Sequence, residues 1–496
     1  MAIVLAGASG PLTLAQSPAD ANRQERQRER AIRETIADPN FRLRVDPNLS
    51  ITERSFFDVG GSFTFSTLWI EDGTEEYSRL LQPEFTLFAR AIIDGAHQFF
   101  FRSRFEYRAF SEGDSFDDNG DRWTEPFIDR YWYDFNLGRA VAAQTGVQPQ
   151  NNLRFRVGRQ FIDWGQGLVL SDELFAVNAT ATFGKIEVTG LAGVTPTDEA
   201  IIDFDGSRSE FDTNTERAFF GGEIRYTTDN AHELYFGYMR MEDWNSDEAP
   251  AADLTVLGIA DTAVDFTYEA NYFSWGAEGS ITSNLAYEGE FVFQSGRAAN
   301  DPTQSIPFGG EQDTDDISAF AFRTQLEYLL GDERRTRFEF EVLGASGDDD
   351  RLISTDTVFG NRPGTDDNAF NSLGFVNTGL AFSPAFSNLL VFRIGGSTFP
   401  IVENELFRNL QVGMDIFIHN KLDQDGPIDE TTGEDLPRGD GEDQFFLGLE
   451  TDFSLNWRVS SDFSITGRYG VFFPTENVFQ ESDTRHFLFL GATVTF

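Results

Sequence analysis

Apolar and polar residues alternate with a period of two from Ser55 to the end of the chain. Examples are FTFSTLWI (63–70), FFFRSRFEYRAF (99–110), NLAYEGEFVFQ (284–294) and RTRFEFEVLG (335–344). One face of each segment is aromatic or aliphatic, and the other carries Ser, Thr, Gly, Glu, Asp or Arg. This alternation predicts β-strands with one apolar and one polar face, and therefore an all-β fold.

The apolar faces need either a protein core or lipid. In a soluble sandwich they would form the core, whereas in a transmembrane antiparallel β-barrel they face lipid and the polar faces line a lumen. Three features favour the barrel. The strands are longer than usual soluble strands, short and long connections alternate strictly, and no helical segment interrupts the pattern.

The connections give the strand count. Short turns, predicted to be periplasmic, fall at 94–97, 183–185, 227–232, 279–283, 331–334 and 459–462. Long acidic connections, predicted to be extracellular, fall at 111–125, 195–215, 242–263, 297–315, 346–386 and 420–442. Counting 370–382 as a strand gives an odd number of strands. The two chain ends would then lie on opposite sides of the membrane, although both should be periplasmic. Placing 370–382 in an external loop leaves about 18 strands, starting near residues 54, 79, 97, 126, 152, 174, 185, 216, 232, 264, 283, 317, 335, 387, 407, 443, 462 and 485.

The two ends of the chain predict export to an outer membrane. Residues 1–16 resemble a truncated signal peptide, 17–53 form a charged periplasmic arm, and 54–496 form the barrel. The last strand ends at Phe496, as in barrels that the bacterial assembly machinery recognises. Tryptophans near predicted strand ends indicate interfacial belts: Trp69, Trp123, Trp164 and Trp244 outside, Trp275 and Trp457 towards the periplasm. We therefore predict a Gram-negative outer-membrane protein, most simply a monomer surrounded by lipid.

The net charge of -44 excludes nucleic acid as a partner, because phosphates would be repelled. No catalytic constellation emerges either. The four histidines are scattered, G-x-S-x-G is absent, and the chain has no cysteine. We predict neither an enzyme nor a cofactor. Asp117, Asn119 and Asp121 resemble the start of a calcium loop but lack its later glutamate, so the alternative is a solvated acidic loop.

Arginines concentrate on the polar faces of the second to fifth strands. An arginine facing lipid costs roughly 2–4 kcal/mol at the bilayer midplane, so these side chains should face the lumen. Guanidinium forks suit carboxylate or sulfate groups. Alternatively, the arginines pair with lumen acids such as Glu106 and Asp134 and brace the wall. The predicted basic wall comprises Arg90, Arg102, Arg104, Arg108, Arg130, Arg154, Arg156, Arg159 and Gln160, with Arg159 out of phase and explained by a bulge at Gly158 or a shift into the loop.

The polar faces of the later strands are mostly acidic. Besides Glu106 and Asp134 on the basic side, the predicted acidic lining is Glu269, Glu288, Glu290, Glu327, Glu339, Glu341, Glu450 and Asp452. The long 346–386 loop, folded inward, would form a constriction of the lumen.

Two segments resemble alginate-export-type outer-membrane proteins. They are LRFRVGRQFIDWGQGLVLSDELFAVNATATF (153–183) and FLGLETDFSLNWRVSSDFSITGRYGVFFP (446–474). The resemblance implies an eighteen-stranded barrel and passive passage of an anionic polysaccharide through an arginine-rich lumen. On the strand that carries the resemblance, the residues implied to line this lumen are Arg154, Arg156, Arg159 and Gln160.

Three functions follow from these observations. The first is a channel for anionic saccharides or polysaccharide. The second is a general or nutrient-uptake porin, supported by the mixed lumen and the long 346–386 loop. The third is a surface adhesin, receptor or barrel enzyme, which the acidic loops permit. Conductance separates the first two from the third, and block by polyuronates separates the first from the second.

Overall fold

The computed structural model describes residues 48–71, 77–110, 121–124, 126–196, 217–244, 249–250, 263–264, 267–300, 313–351, 361–428, 444–475, 478–479 and 483–496. Eighteen long strands lie in these residues. They are β1 Phe56–Glu71, β2 Tyr77–Ile93, β3 His97–Phe110, β4 Phe127–Asn136, β5 Asn151–Trp164, β6 Leu170–Phe183, β7 Ile186–Val194, β8 Arg217–Thr227, β9 Glu233–Asp243, β10 Tyr268–Thr282, β11 Leu285–Ala299, β12 Thr314–Leu329, β13 Arg337–Ala345, β14 Leu389–Thr398, β15 Leu410–Asn420, β16 Phe446–Arg458, β17 Phe463–Pro474 and β18 Arg485–Thr495.

Each strand pairs antiparallel with the next, and β1 also pairs with β18, so the sheet closes on itself. Gly61 and Phe496 exchange two backbone hydrogen bonds at this seam, each 3.0 Å long. Closure removes the unpaired edges that an open sheet would present. The predicted barrel and its 18 strands are confirmed, and each strand begins within four residues of its expected position.

Residues 370–382 form no regular strand, which confirms their placement in an external connection. The expectation of no helix is wrong, because α1 (Leu137–Thr145) fills the periplasmic connection from β4 to β5. Asn136 caps it by accepting a hydrogen bond from the Arg139 N–H, and Gly146 ends it with φ 73°. Alternation of connection length is also not strict, since the external β5–β6 turn spans only 165–169.

The outer face of the barrel is apolar. Phe57, Phe65, Phe99, Val177 and Phe236 are all more than 40% exposed, as expected for the lipid-facing surface of a transmembrane barrel. No helix among the described residues is long and apolar enough to cross a membrane.

Two external connections fold into the lumen. One is the β5–β6 turn, and the other is residues 361–388, which we call the strap. They contact each other, because the N–H of Phe375 in the strap donates to Gly167 O in the turn at 2.8 Å. Just beyond the turn, the N–H of Ser171 on β6 donates to Leu373 O, also at 2.8 Å. Trp164, expected in the outer aromatic belt, is instead 3% exposed in the resulting core, because it belongs to the inward-facing set of β5.

Candidate functional site

Arginine side chains from β2 to β5 project into the lumen and form what we call the basic arc. The strand register places the inward residues opposite one another: Asp58 opposite Arg90, Arg102 opposite Arg130, and Asp134 opposite Arg156. Every arginine of the arc lies within 4 Å of a carboxylate. The arc comprises Arg90, Arg102, Arg104, Arg108, Arg130, Arg154 and Arg156.

The most exposed part of the basic arc is an arginine pair on β5. Arg154 and Arg156 both bind Asp134 Oδ2, at 2.8 Å from Arg154 Nη2 and 3.0 Å from Arg156 Nε. The Arg156 guanidinium also lies 4.0 Å from the Trp132 ring centre. Their side chains remain 46% and 29% exposed. Two exposed cations therefore share the carboxylate of Asp134.

A buried network lies nearer the external side. Arg130 Nε binds Glu173 Oε1 at 2.5 Å, and Arg159 Nε binds Glu173 Oε2 at 3.2 Å. Arg102 binds Asp129. Arg159 is thus a fully buried member of the wall. Gly158, with φ 129°, marks the departure from regular strand geometry just before it.

Asp129 and Glu173 were not predicted from the sequence. A register shift between Arg102 and Arg104 breaks the simple alternation along β4, and Asp129 turns inward to meet Arg102. An irregularity of this kind is a β-bulge. The only sequence signal was that Arg159 was out of phase, which pointed to the right place on β5 but not to its partners.

The remaining predicted members of the basic wall are also held in place. Arg90 Nη2 binds Asp58 Oδ2 at 3.0 Å, and Arg108 Nε binds Glu106 Oε1 at 2.7 Å. Gln160 is buried, and its Nε2 donates to Ala176 O at 2.9 Å. Each of these three side chains therefore has a hydrogen-bonding or ionic partner within the barrel.

The acidic arc on the opposite side is cross-linked by arginines. Arg323 binds Glu288 at 2.7 Å and Glu341 at 2.5 Å, while Arg393 binds Glu339 and Glu341. These contacts connect β11, β12, β13 and β14, so the carboxylates cluster around shared cations. Further pairs join Glu269 with Arg240 (3.3 Å) and Arg297 (3.6 Å), and Glu327 with Arg337 (4.0 Å).

Three of the predicted lining acids face inward but lie beneath the inserted segments. Glu290 Oε2 accepts a hydrogen bond from the backbone N–H of Gln166 in the β5–β6 turn, at 3.1 Å. Glu450 binds the strap, and Asp452 stands beside it on β16; both are buried. Glu290 and Glu450 thus bind the inserted segments, and all three carboxylates are buried away from open water.

The exposure of the lining side chains differs between the periplasmic and the external parts of the lumen. Towards the periplasm, the side chains of Arg154, Arg337 and Asp58 are 46%, 43% and 34% exposed. Level with the inserted segments, those of Arg102 and Asp129 are 7% and 2% exposed. Lining side chains are therefore more exposed in the periplasmic half of the lumen, which we call the vestibule, than in the external half.

Carboxylates cluster in one external loop among the described residues. Asp117 and Asn119 of the calcium prediction lie outside them, and Asp121 Oδ1 accepts the backbone N–H of Phe110 at 2.7 Å. The carboxylates of Asp348, Asp349 and Asp350 come within 4.8 Å of one another. Burial raises the pKa of Asp348, whose oxygens already accept two backbone N–H groups.

Comparisons with known proteins agree on the architecture. The family model described as alginate export matches residues 128–489. The crystal structure of OccAB1 from Acinetobacter baumannii aligns with a TM-score of 0.51 at 11% identity, covering 88% of this chain and 97% of that one. The structure of OpdO from Pseudomonas aeruginosa aligns with a TM-score of 0.50 at 10% identity, covering 88% and 97%. At these identities the likeness is one of fold. No curated protein matches the chain in sequence.

Proposed function

The chain belongs to the alginate export family, and from this premise we propose that it carries anionic saccharides across the outer membrane of a Gram-negative bacterium. It is a transport channel and not an enzyme. The finer claim is that the solute is a saccharide bearing carboxylate or sulfate groups, and that it travels along the basic arc.

The shared acceptor Asp134 carries this proposal. It binds both Arg154 and Arg156, and the Arg154 side chain is still 46% exposed to the vestibule. A guanidinium has five N–H donors, so one carboxylate does not exhaust those of two arginines. A carboxylate on a passing sugar would find a half-exposed fork there, and bidentate pairing of this kind is strong and geometrically specific.

The position of the strap supports the same route. Its hydrogen bonds go to the β5–β6 turn, to Tyr272 and Gln294 on β10 and β11, and to Glu450 on β16. It therefore packs against the acidic arc and the turn. The wall that carries Arg154 and Arg156 is left facing the water-filled part of the lumen.

Block of the single-channel current by an oligouronate tests this function. We expect R154Q/R156Q to weaken block at least about tenfold, because each hydrogen bond to a charged group is worth roughly 1.5–3 kcal/mol. R297Q, at an exposed arginine on the acidic arc, is the matched control and should leave block unchanged. A neutral oligosaccharide of equal length should block poorly. Equal block of wild type and R154Q/R156Q would contradict the proposal.

A nutrient-uptake porin is the second candidate. The strap favours it, because an inserted segment that narrows the lumen suits small solutes. In that case small carboxylates would permeate, and oligouronates would neither block nor pass.

Partners and processing belong to the same proposal. We propose that Phe496 presents the chain to the barrel-assembly machinery, that the barrel acts as a monomer in lipid, and that residues 1–53 comprise a signal peptide and a periplasmic arm. The exposed Phe496 ring, stacked 5.8 Å from Phe85 at the barrel seam, supports the first point.

A further inference from the structure

We propose that Glu450 is a positioning residue that sets the ion selectivity of the channel by holding the strap over the acidic arc. The proposal rests on the channel function but not on the identity of the saccharide. It is distinct from the role of the basic arc, because Glu450 acts from the opposite wall and through a different segment of the chain.

Glu450 is held to the strap by several backbone hydrogen bonds. Three consecutive backbone N–H groups donate to its carboxylate: Leu380 at 2.6 Å and Ala381 at 2.7 Å to Oε1, and Phe382 at 2.9 Å to Oε2. Successive N–H groups of this kind form an anion-binding concavity. Gly379, with φ 132°, precedes them. A residue with a Cβ there would meet the Glu450 carboxylate at 2.6 Å.

An aromatic socket surrounds the same point. The Phe382 ring stacks on Phe472 with centroids 4.3 Å apart, and the His419 and Phe479 rings meet it edge-on at 5.0 and 5.6 Å. Phe382 is completely buried. Packing in this aromatic socket is non-directional and does not orient the backbone of the strap. The hydrogen bonds to the carboxylate are directional and fix that backbone. Glu450 is therefore the polar half of a two-part latch.

Below the latched strap lie further acids. Asp452 stands two residues along β16 and is 5% exposed. Its neighbour across the sheet is Asp415 on β15, which binds Arg393 at 3.4 Å. Release of the strap would give water and ions access to these carboxylates. It would also widen the external half of the lumen, which the strap occupies.

The direction of the selectivity change distinguishes the latch from simple charge removal. E450Q keeps the size of the side chain but replaces one acceptor oxygen by an NH₂ group, which would face a backbone N–H donor. The strap should then be released, and the carboxylates below it should become accessible to ions. We expect the cation-to-anion permeability ratio to rise by about fivefold, the factor for one unit charge about 4 Å away in water. Conductance should rise as well.

E327Q is the matched control. Glu327 is a partly exposed lining acid on β12 that binds Arg337. Removing its charge should shift selectivity the other way, towards anions, and leave the conductance nearly unchanged. If E450Q also shifts selectivity towards anions with unchanged conductance, it acts only as a lost charge and the proposal is wrong.

A reversible cross-link gives an independent test. A Cβ built at Gly470 lies 2.8 Å from Leu380 Cβ, so a small adjustment brings L380C/G470C to the usual separation of roughly 3.5–4.5 Å for a disulfide. The chain has no other cysteine. The oxidised disulfide should restore wild-type selectivity and conductance to E450Q, and reduction should abolish the rescue. Failure of the oxidised form to rescue would overturn the proposal.

E450D is a second variant that tests the same latch if the E450Q barrel does not assemble. Its shorter side chain keeps the charge but cannot reach all three N–H groups, so the latch weakens without loss of a carboxylate. We expect a cation shift that the L380C/G470C disulfide reverses. Wild-type selectivity in E450D without the disulfide would contradict the latch. If wild type itself is cation-selective, the basic-arc route fails while the E450Q comparison remains decisive for the latch.

Discussion

Asp134 is a single carboxylate that braces two exposed arginines of the wall. It accepts hydrogen bonds from Arg154 Nε at 2.8 Å and from Arg156 Nε at 3.0 Å. The pairing fixes the direction of both side chains, and Trp132 covers one face of Arg156. An arginine held in this way loses less side-chain entropy when it binds a solute.

Asp134→Asn should make the lumen more selective for anions. The asparagine keeps an acceptor oxygen but removes the negative charge between Arg154 and Arg156. The change is on the order of 1 kcal/mol for a unit charge about 4 Å away in water, which is roughly fivefold in anion occupancy. The reversal potential in a salt gradient measures it. D332N, in the exposed β12–β13 turn, is the charge-matched control. An unchanged or cation-directed reversal potential for D134N would contradict this role.

The strands were the most predictable elements, and their irregularities the least. Period-two alternation identified the inward faces of β2, β3 and β5, including Arg102, Arg154 and Arg156. It missed Asp129 on β4, because a single register shift reverses which side a residue faces. It also led us to expect no helical segment between the strands, although Asn136 and Gly146 are ordinary cap residues of α1.

Gly158→Ala should destabilise the barrel. Gly158 has φ 129°, and an added Cβ would meet the Trp132 Cα at 2.8 Å, so alanine must strain or shift β5. We expect a loss of about 1–3 kcal/mol in the free energy of unfolding, measured by urea titration in lipid vesicles. G190A is the control, since a Cβ at Gly190 meets nothing within 4 Å. Equal stabilities of the two variants would contradict the strain.

The whole molecule is a lipid-exposed barrel with a second, internal core. Period-two alternation and the pattern of connections were enough to predict the closed sheet, and parity was enough to exclude 370–382 from it. The docking of the strap was not predictable to the residue, because it depends on contacts such as Asn371 with Gln294 and Leu380 with Glu450, which are far apart in sequence. A lumen acid looks the same in the sequence whether it faces water or binds a backbone.

The overall charge of the chain and the local charge of the basic arc favour ions of opposite sign. The chain carries a net charge of -44, yet charges separated by more than a Debye length of about 8 Å at physiological salt are largely screened. The charged groups that are exposed to the water-filled lumen therefore decide selectivity, and on our account those are Arg154 and Arg156 of the basic arc.

The reversal potential of the purified protein in a planar bilayer under a KCl gradient tests this account most directly. With the strap latched over the acidic arc, we expect chloride to be favoured over potassium despite the acidity of the chain. A potential favouring potassium would mean that the acidic arc and loops control the passage, and would contradict transport of anionic saccharides along the basic arc.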